Sequence, residues 1–230
     1  QVVEVLQAML RPTTGEDLLR ETYEEFRLQH GRRPSAREMF MSGGLQKDTL
    51  RRGFGSWFGL VGQMGDLDAR QTEAVQRHAA FLGEVEQSRM ERSYKMLVLE
   101  AMLEEGALPG SIPIDVLAAR LQRIAERSQF LRQELDATLR SSATSLAAML
   151  RSNPLRAWAG TKRGAGSDFF ELEDDRFATK FTREGRDAED LPVLTRELVE
   201  WRLAEYLSLA GLEMPETPEP GVGTKVLRVG

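Results

Sequence analysis

Arg32, Arg33, Arg37, Lys47, Arg51 and Arg52 fall within residues 30–67, where only Glu38, Asp48 and Asp66 oppose them. The chain as a whole carries a formal net charge of −5, so this local excess of cations runs against the overall balance. Guanidinium and ammonium groups gathered in this way neutralise phosphates, and Arg and Gln also form paired hydrogen bonds with guanine and adenine edges. Arg32, Arg33, Lys47, Arg51 and Arg52 are therefore the candidate nucleic-acid contacts here, with Gln46 and Thr49 beside them. A second basic segment holds Arg151, Arg156, Lys162 and Arg163, with no acid until Asp168. Glycines at 160, 164 and 166 let that backbone approach a phosphate closely, and Lys162 and Arg163 complete the candidate set. The segment reads equally as a surface loop with incidental charge.

Catalytic chemistry finds less support. Asp168, Glu171, Glu173, Asp174 and Asp175 with Lys180 superficially suggest a metal-dependent nuclease of the Asp…Glu-x-Lys type. That pattern needs a carboxylate two positions before the lysine, where this chain has Ala178. Strand alternation would also send Glu171 and Glu173 to one face and leave Asp174 and Asp175 in a turn. A Gly-Lys-Ser/Thr phosphate loop is absent throughout. His30, at a helix C-terminus, suits the dipole there, and His78 reads as a hydrogen-bonded core histidine. No catalytic residue, cofactor site or metal site is expected.

The basic stretch depends on short helices to place its cations. Ser35 and Glu38 form a capping-box pattern that starts a helix after Pro34. Ser42, Gly43 and Gly44 end it, because glycine accepts left-handed backbone angles. Residues 45–52 form a second helix carrying Gln46, Lys47, Thr49, Arg51 and Arg52. Gly53-Phe54-Gly55 turns the chain, and Ser56 caps a third helix bearing Leu60, Val61 and Met64. Short helices joined by a tight glycine turn form a helix-turn-helix unit, whose second helix can enter the DNA major groove. The competing reading is a solvated face of arginines over Phe54 and Trp57, which belong to the core.

The block Gly31-Arg32-Arg33-Pro34-Ser35, then Glu38, then Thr49-Leu50-Arg51-Arg52-Gly53-Phe54-Gly55-Ser56-Trp57 resembles the short repeat found beside homing endonuclease domains and in some bacterial helicases. The resemblance implies a small helical DNA-binding unit and no catalysis. More loosely, the order of that block, "SYKMLVLEAML", "NPLRAW" and "LVEWRLAEYL" resembles the C-terminal accessory region of bacterial superfamily 2 DEAD/DEAH helicases, including those linked to restriction or phage defence. It implies DNA, duplex or single-stranded, as partner, with a helicase motor or another subunit as a second partner.

Elsewhere the pattern is mainly helical. A capping box at Thr14 and Asp17 opens a helix burying Leu19, Tyr23 and Phe26. Ala74, His78, Phe81, Leu82 and Val85 share one face of another. Residues 94–103 are apolar on two faces, so that helix is enclosed. Residues 104–113 read as a Gly- and Pro-rich loop, and residues 169–181 as a β-hairpin turning at Glu173–Asp175. The last helix carries Val199, Leu203, Tyr206, Leu207 and Ala210. The expected fold is a mainly α helical bundle with a helix-turn-helix-like unit and a small β-hairpin near the C-terminus. Its segments are 1–67, 68–152, 153–211 and a disordered tail at 212–230, with two subdomains divided near Asn153.

The apolar periodicity starts at the first residue, which suggests a piece of a longer polypeptide. The absence of cysteine excludes disulfides. No apolar run approaches the roughly 20 residues that span a bilayer, so a cytoplasmic protein with no membrane partner is expected. A protein–protein interaction module remains the alternative function, since large helical faces and an acidic balance suit docking as well.

Overall fold

The computed structural model describes residues 14–142, 145–160, 167–181 and 189–210. In chain order its helices begin with α1 (Gly15–His30), α2 (Ala36–Met41), α3 (Lys47–Phe54) and α4 (Trp57–Gln63). Next come α5 (Ala69–Arg77), α6 (Ala79–Gln87) and α7 (Tyr94–Glu104), then strand β1 (Ser111–Pro113). Helices α8 (Ile114–Glu126), α9 (Gln129–Ser142), α10 (Leu146–Ser152) and α11 (Leu155–Ala159) precede β2 (Phe170–Glu173), β3 (Arg176–Thr179) and α12 (Asp190–Leu209). The expected mainly α class is correct. The apolar segment within residues 1–13, Lys162, Arg163 and the tail lie outside the described residues.

Helices α7 and α12 carry apolar side chains around most of their circumference, so neither can lie on a surface. Met96, Leu97, Val98 and Leu99 on α7 are all buried, as are Leu194, Leu198, Trp201 and Leu207 on α12. Helix α12 packs against α2, α5, α6 and α7, and α7 also packs on α8. One apolar core thus joins residues from α1 through α12. The boundary expected near Asn153 falls between α10 and α11, and buried side chains on both sides of it belong to that shared core.

Two local expectations are corrected. The apolar face through residues 74–85 is not one helix: His78, at φ −108° and ψ 19°, separates α5 from α6. Residues 104–113 are not all loop, because β1 joins the hairpin in an antiparallel sheet of order β1-β3-β2. Ile112 lies opposite Phe177, which lies opposite Leu172. Directly opposed residues share a face, so these side chains join Phe170 against the core, and the Phe170 and Phe177 rings stack at 5.3 Å. Glu171 and Glu173 fall on the other face by strand alternation. Trp158 is buried, 4.9 Å from the Phe170 ring, as a packing anchor.

Candidate nucleic-acid interface

The N-terminal unit is built by its caps. Thr14 with Asp17 and Ser35 with Glu38 each form a complete capping box, and the Ser56 hydroxyl accepts from the Gly59 amide. Gly43 at φ +76° and Gly55 at φ +78° take the left-handed conformation that closes the two turns. Helix α3 runs to Phe54, two residues further than the pattern predicts. It tolerates Gly53, which faces the Glu16 side chain of α1. Trp57 is fully buried, its ring 6.2 Å from that of Tyr23. The Tyr23 phenol, pushed up chiefly by burial, donates to Asp66 at 2.9 Å.

This scaffold sends the candidate cations to different places. Arg32 makes a paired hydrogen bond with Glu38 at 2.6 and 2.9 Å. That bond is the main reason the Glu38 carboxyl is lowered to about 2. Arg33 grips Glu197 of α12 with two bonds of 2.8 Å, which raise its own pKa. Lys47 pairs with Glu205 of α12 and lies 5.8 Å over the Trp201 ring; burial lowers its pKa. Arg51 and Arg52 are exposed on α3. The Arg52 Nε donates to the Asp48 carbonyl at 3.2 Å. Among the described residues no carboxylate lies within ion-pair distance of either guanidinium. The structure therefore gathers Arg33 and Lys47 on α12, ties Arg32 to its own helix cap, and leaves Arg51 and Arg52 exposed at consecutive positions of α3.

The cations' partners lie far away in sequence. The carboxylate of Glu197 also accepts from the Trp57 indole at 2.7 Å and the Ala36 amide at 3.2 Å, locking α2 and α4 to α12. Beside Lys47, Arg202 is 6% exposed; it pairs with Glu205 and donates to the Ser88 carbonyl at 2.7 Å. Burial lowers the Arg202 pKa, and its Nε has no hydrogen-bond partner. Glu86 accepts from the Trp57 amide at 3.0 Å, and burial raises its carboxyl to about 6. Fixed ionic contacts of this kind set how one element registers on another. Residues 197–205 carry a signal for the seam: Glu197, Glu200, Arg202 and Glu205 interrupt the apolar pattern of a helix that must be enclosed. Periodicity alone identified only the apolar positions.

Among the described residues, no group of His, Asp and Glu side chains is placed to hold a metal ion. Glu171 and Glu173 occupy the strand as expected, with Asp174 and Asp175 in the turn. His78 is half-buried, its ring 5.5 Å from that of Phe181. No described helix is long and apolar enough to cross a membrane. In comparisons with protein families, curated proteins and solved structures, nothing matches this chain.

Proposed function

We propose that the chain is a non-catalytic nucleic-acid-binding module of a larger, helicase-like, cytoplasmic DNA-processing protein. Its primary contacts are Arg51 and Arg52, with Lys162 and Arg163 as a second contact. The observation that supports this reading is the pair of exposed guanidiniums on α3, neither within ion-pair distance of a carboxylate among the described residues, with Glu86 acting on Arg51 only from further off. Helix α3 is the second helix of a tightly turned helical unit, the position from which such units touch DNA. Lys47 ties that helix to α12 and Arg33 ties the segment before α2 to it, so their role is to position the unit. DNA is the partner on this reading, and the motor or another subunit docks elsewhere on the chain.

The test is fluorescence-anisotropy titration of a labelled duplex over a range of salt concentrations. Binding whose affinity falls steeply with salt supports the reading, because neutralised phosphates release counterions. Absence of binding even at low salt overturns it and favours a protein-interaction module. One observation favours that second reading: the carboxylates of α12 take up Arg33 and Lys47 within the molecule.

A further inference from the structure

Between α6 and α7 the chain reads Ser88-Arg89-Met90-Glu91-Arg92-Ser93, and this connection faces the corner where α10 meets α11. The two enclose a concavity of about 530 Å³, lined by Arg89, Glu91, Arg92, Lys95, Asn153 and Ala157, with neighbouring residues closing it. We propose that this concavity is a phosphate-binding site, with Lys95 as its central ligand and Arg92 and Arg89 at its mouth. It shares no residue with the α3 surface, and its size is that of a small-ligand pocket.

Lys95 carries the argument. Its ammonium is half-buried, 3.3 Å from the Ser88 hydroxyl and 5.0 Å over the Trp158 ring. Among the described residues no carboxylate lies within ion-pair distance of it. Burial depresses its pKa, and Glu84 and Glu91 offset this only from a distance. Half-burying an ammonium is unfavourable, and one hydroxyl and one ring face offset that cost less well than an anion would. The Trp158 indole donates to the Lys95 backbone carbonyl at 3.2 Å, which holds that ring beneath the ammonium. Lys95 also sits in the first turn of an 11-residue helix, where the backbone dipole favours a negative ligand.

The charged groups that line the concavity are three cations, Arg89, Arg92 and Lys95, and one carboxylate, Glu91, while Glu84 and Glu134 stand behind the lining. At the rim, Glu91 is 3.7 Å from Arg89, and both are largely exposed. Arg92 is 3.8 Å from Glu134, a carboxylate already held by Ser93 at 2.5 Å and Tyr206 at 2.6 Å. The ligand is a phosphate group, either as a free monoester or as part of a nucleic-acid strand.

Isothermal titration calorimetry tests this on the full chain, using inorganic phosphate, a nucleoside monophosphate and a short single-stranded oligonucleotide. Lys95→Met keeps the apolar stem and removes the charge; it is expected to weaken phosphate binding about tenfold, the loss of one charge-assisted hydrogen bond. Lys95→Arg retains binding, and Arg123→Gln on the exposed face of α8 leaves it unchanged. An oligonucleotide that binds more tightly than phosphate, and is equally sensitive to Lys95→Met, identifies a strand as the source. Equal affinities identify the free ester. Undetectable phosphate binding, or affinity unchanged in Lys95→Met, overturns the site. Arg51→Ala/Arg52→Ala leaves phosphate binding intact, so failure here and failure of the α3 reading are separately visible.

Discussion

Replacing Glu197 with alanine is expected to loosen the attachment of the N-terminal unit to α12 more than any other single ionic change. The carboxylate is 10% exposed and Arg33 is 24% exposed, so their pairing is largely shielded from solvent. Three donor groups converge on it: the Arg33 guanidinium, the Trp57 indole and the Ala36 amide. Breaking one side of a buried ion pair costs about 3–5 kcal/mol, and an orphaned indole adds to that. We therefore expect Glu197→Ala to destabilise the fold by about 4 kcal/mol, lowering Tm by about 8–16 °C for a chain of this size. Glu197→Gln keeps an acceptor for Trp57 and should cost about half as much. Urea unfolding followed by tryptophan fluorescence reads the loss directly. In a cycle with Arg33→Met, the double variant should be much less destabilised than the sum of the singles, because no stranded charge remains. A loss below about 1 kcal/mol for Glu197→Ala would refute this reasoning, as would additivity within about 0.5 kcal/mol.

Three further outcomes follow from individual contacts. A Cβ on Gly59 would lie 2.0 Å from the Phe54 carbonyl, a backbone atom that cannot step aside. Gly59→Ala should therefore cost at least about 3 kcal/mol in a denaturation midpoint. By contrast, Gly62→Ala, which meets only the Leu67 side chain at 3.5 Å, should be neutral or stabilising by up to about 1 kcal/mol. Glu86 keeps its proton in the folded state up to about 6, whereas the unfolded chain releases it near 4.5. A raised carboxyl pKa means that stability falls as pH climbs through this window, by about 2 kcal/mol at roughly 1.4 kcal/mol per unit. Unfolding curves for Glu86→Gln should lack that decline relative to the native chain.

Local chemistry was legible in the sequence where neighbours decide the outcome. The Thr14–Asp17 and Ser35–Glu38 boxes and the Ser56 cap fix helix starts through atoms a few residues apart, so their patterns could be read directly. Two helix limits were misjudged. Gly53 suggested an early turn, yet α3 absorbs it, and the apolar face around His78 continues although the backbone does not. Strand β1 was hidden because Ser111-Ile112-Pro113 has no strand character without β3, whose residues lie far along the chain. The same distance hid the destination of the cations. Arg33 and Glu197 are 164 positions apart, and no local pattern tells a guanidinium bound for a carboxylate from one bound for solvent. The excess charge of residues 30–67 was thus visible, while its division between docking and display required the fold.

The most direct test of that division compares two variants by the slope of log affinity for duplex DNA against log salt. Arg51→Ala/Arg52→Ala should flatten the slope by about 2, since each phosphate contact contributes roughly 0.9. It should leave stability nearly unchanged. Lys47→Met should leave the slope as it is and lower stability through the lost Glu205 pair. A slope that responds to Lys47→Met and ignores the arginine pair would contradict the account.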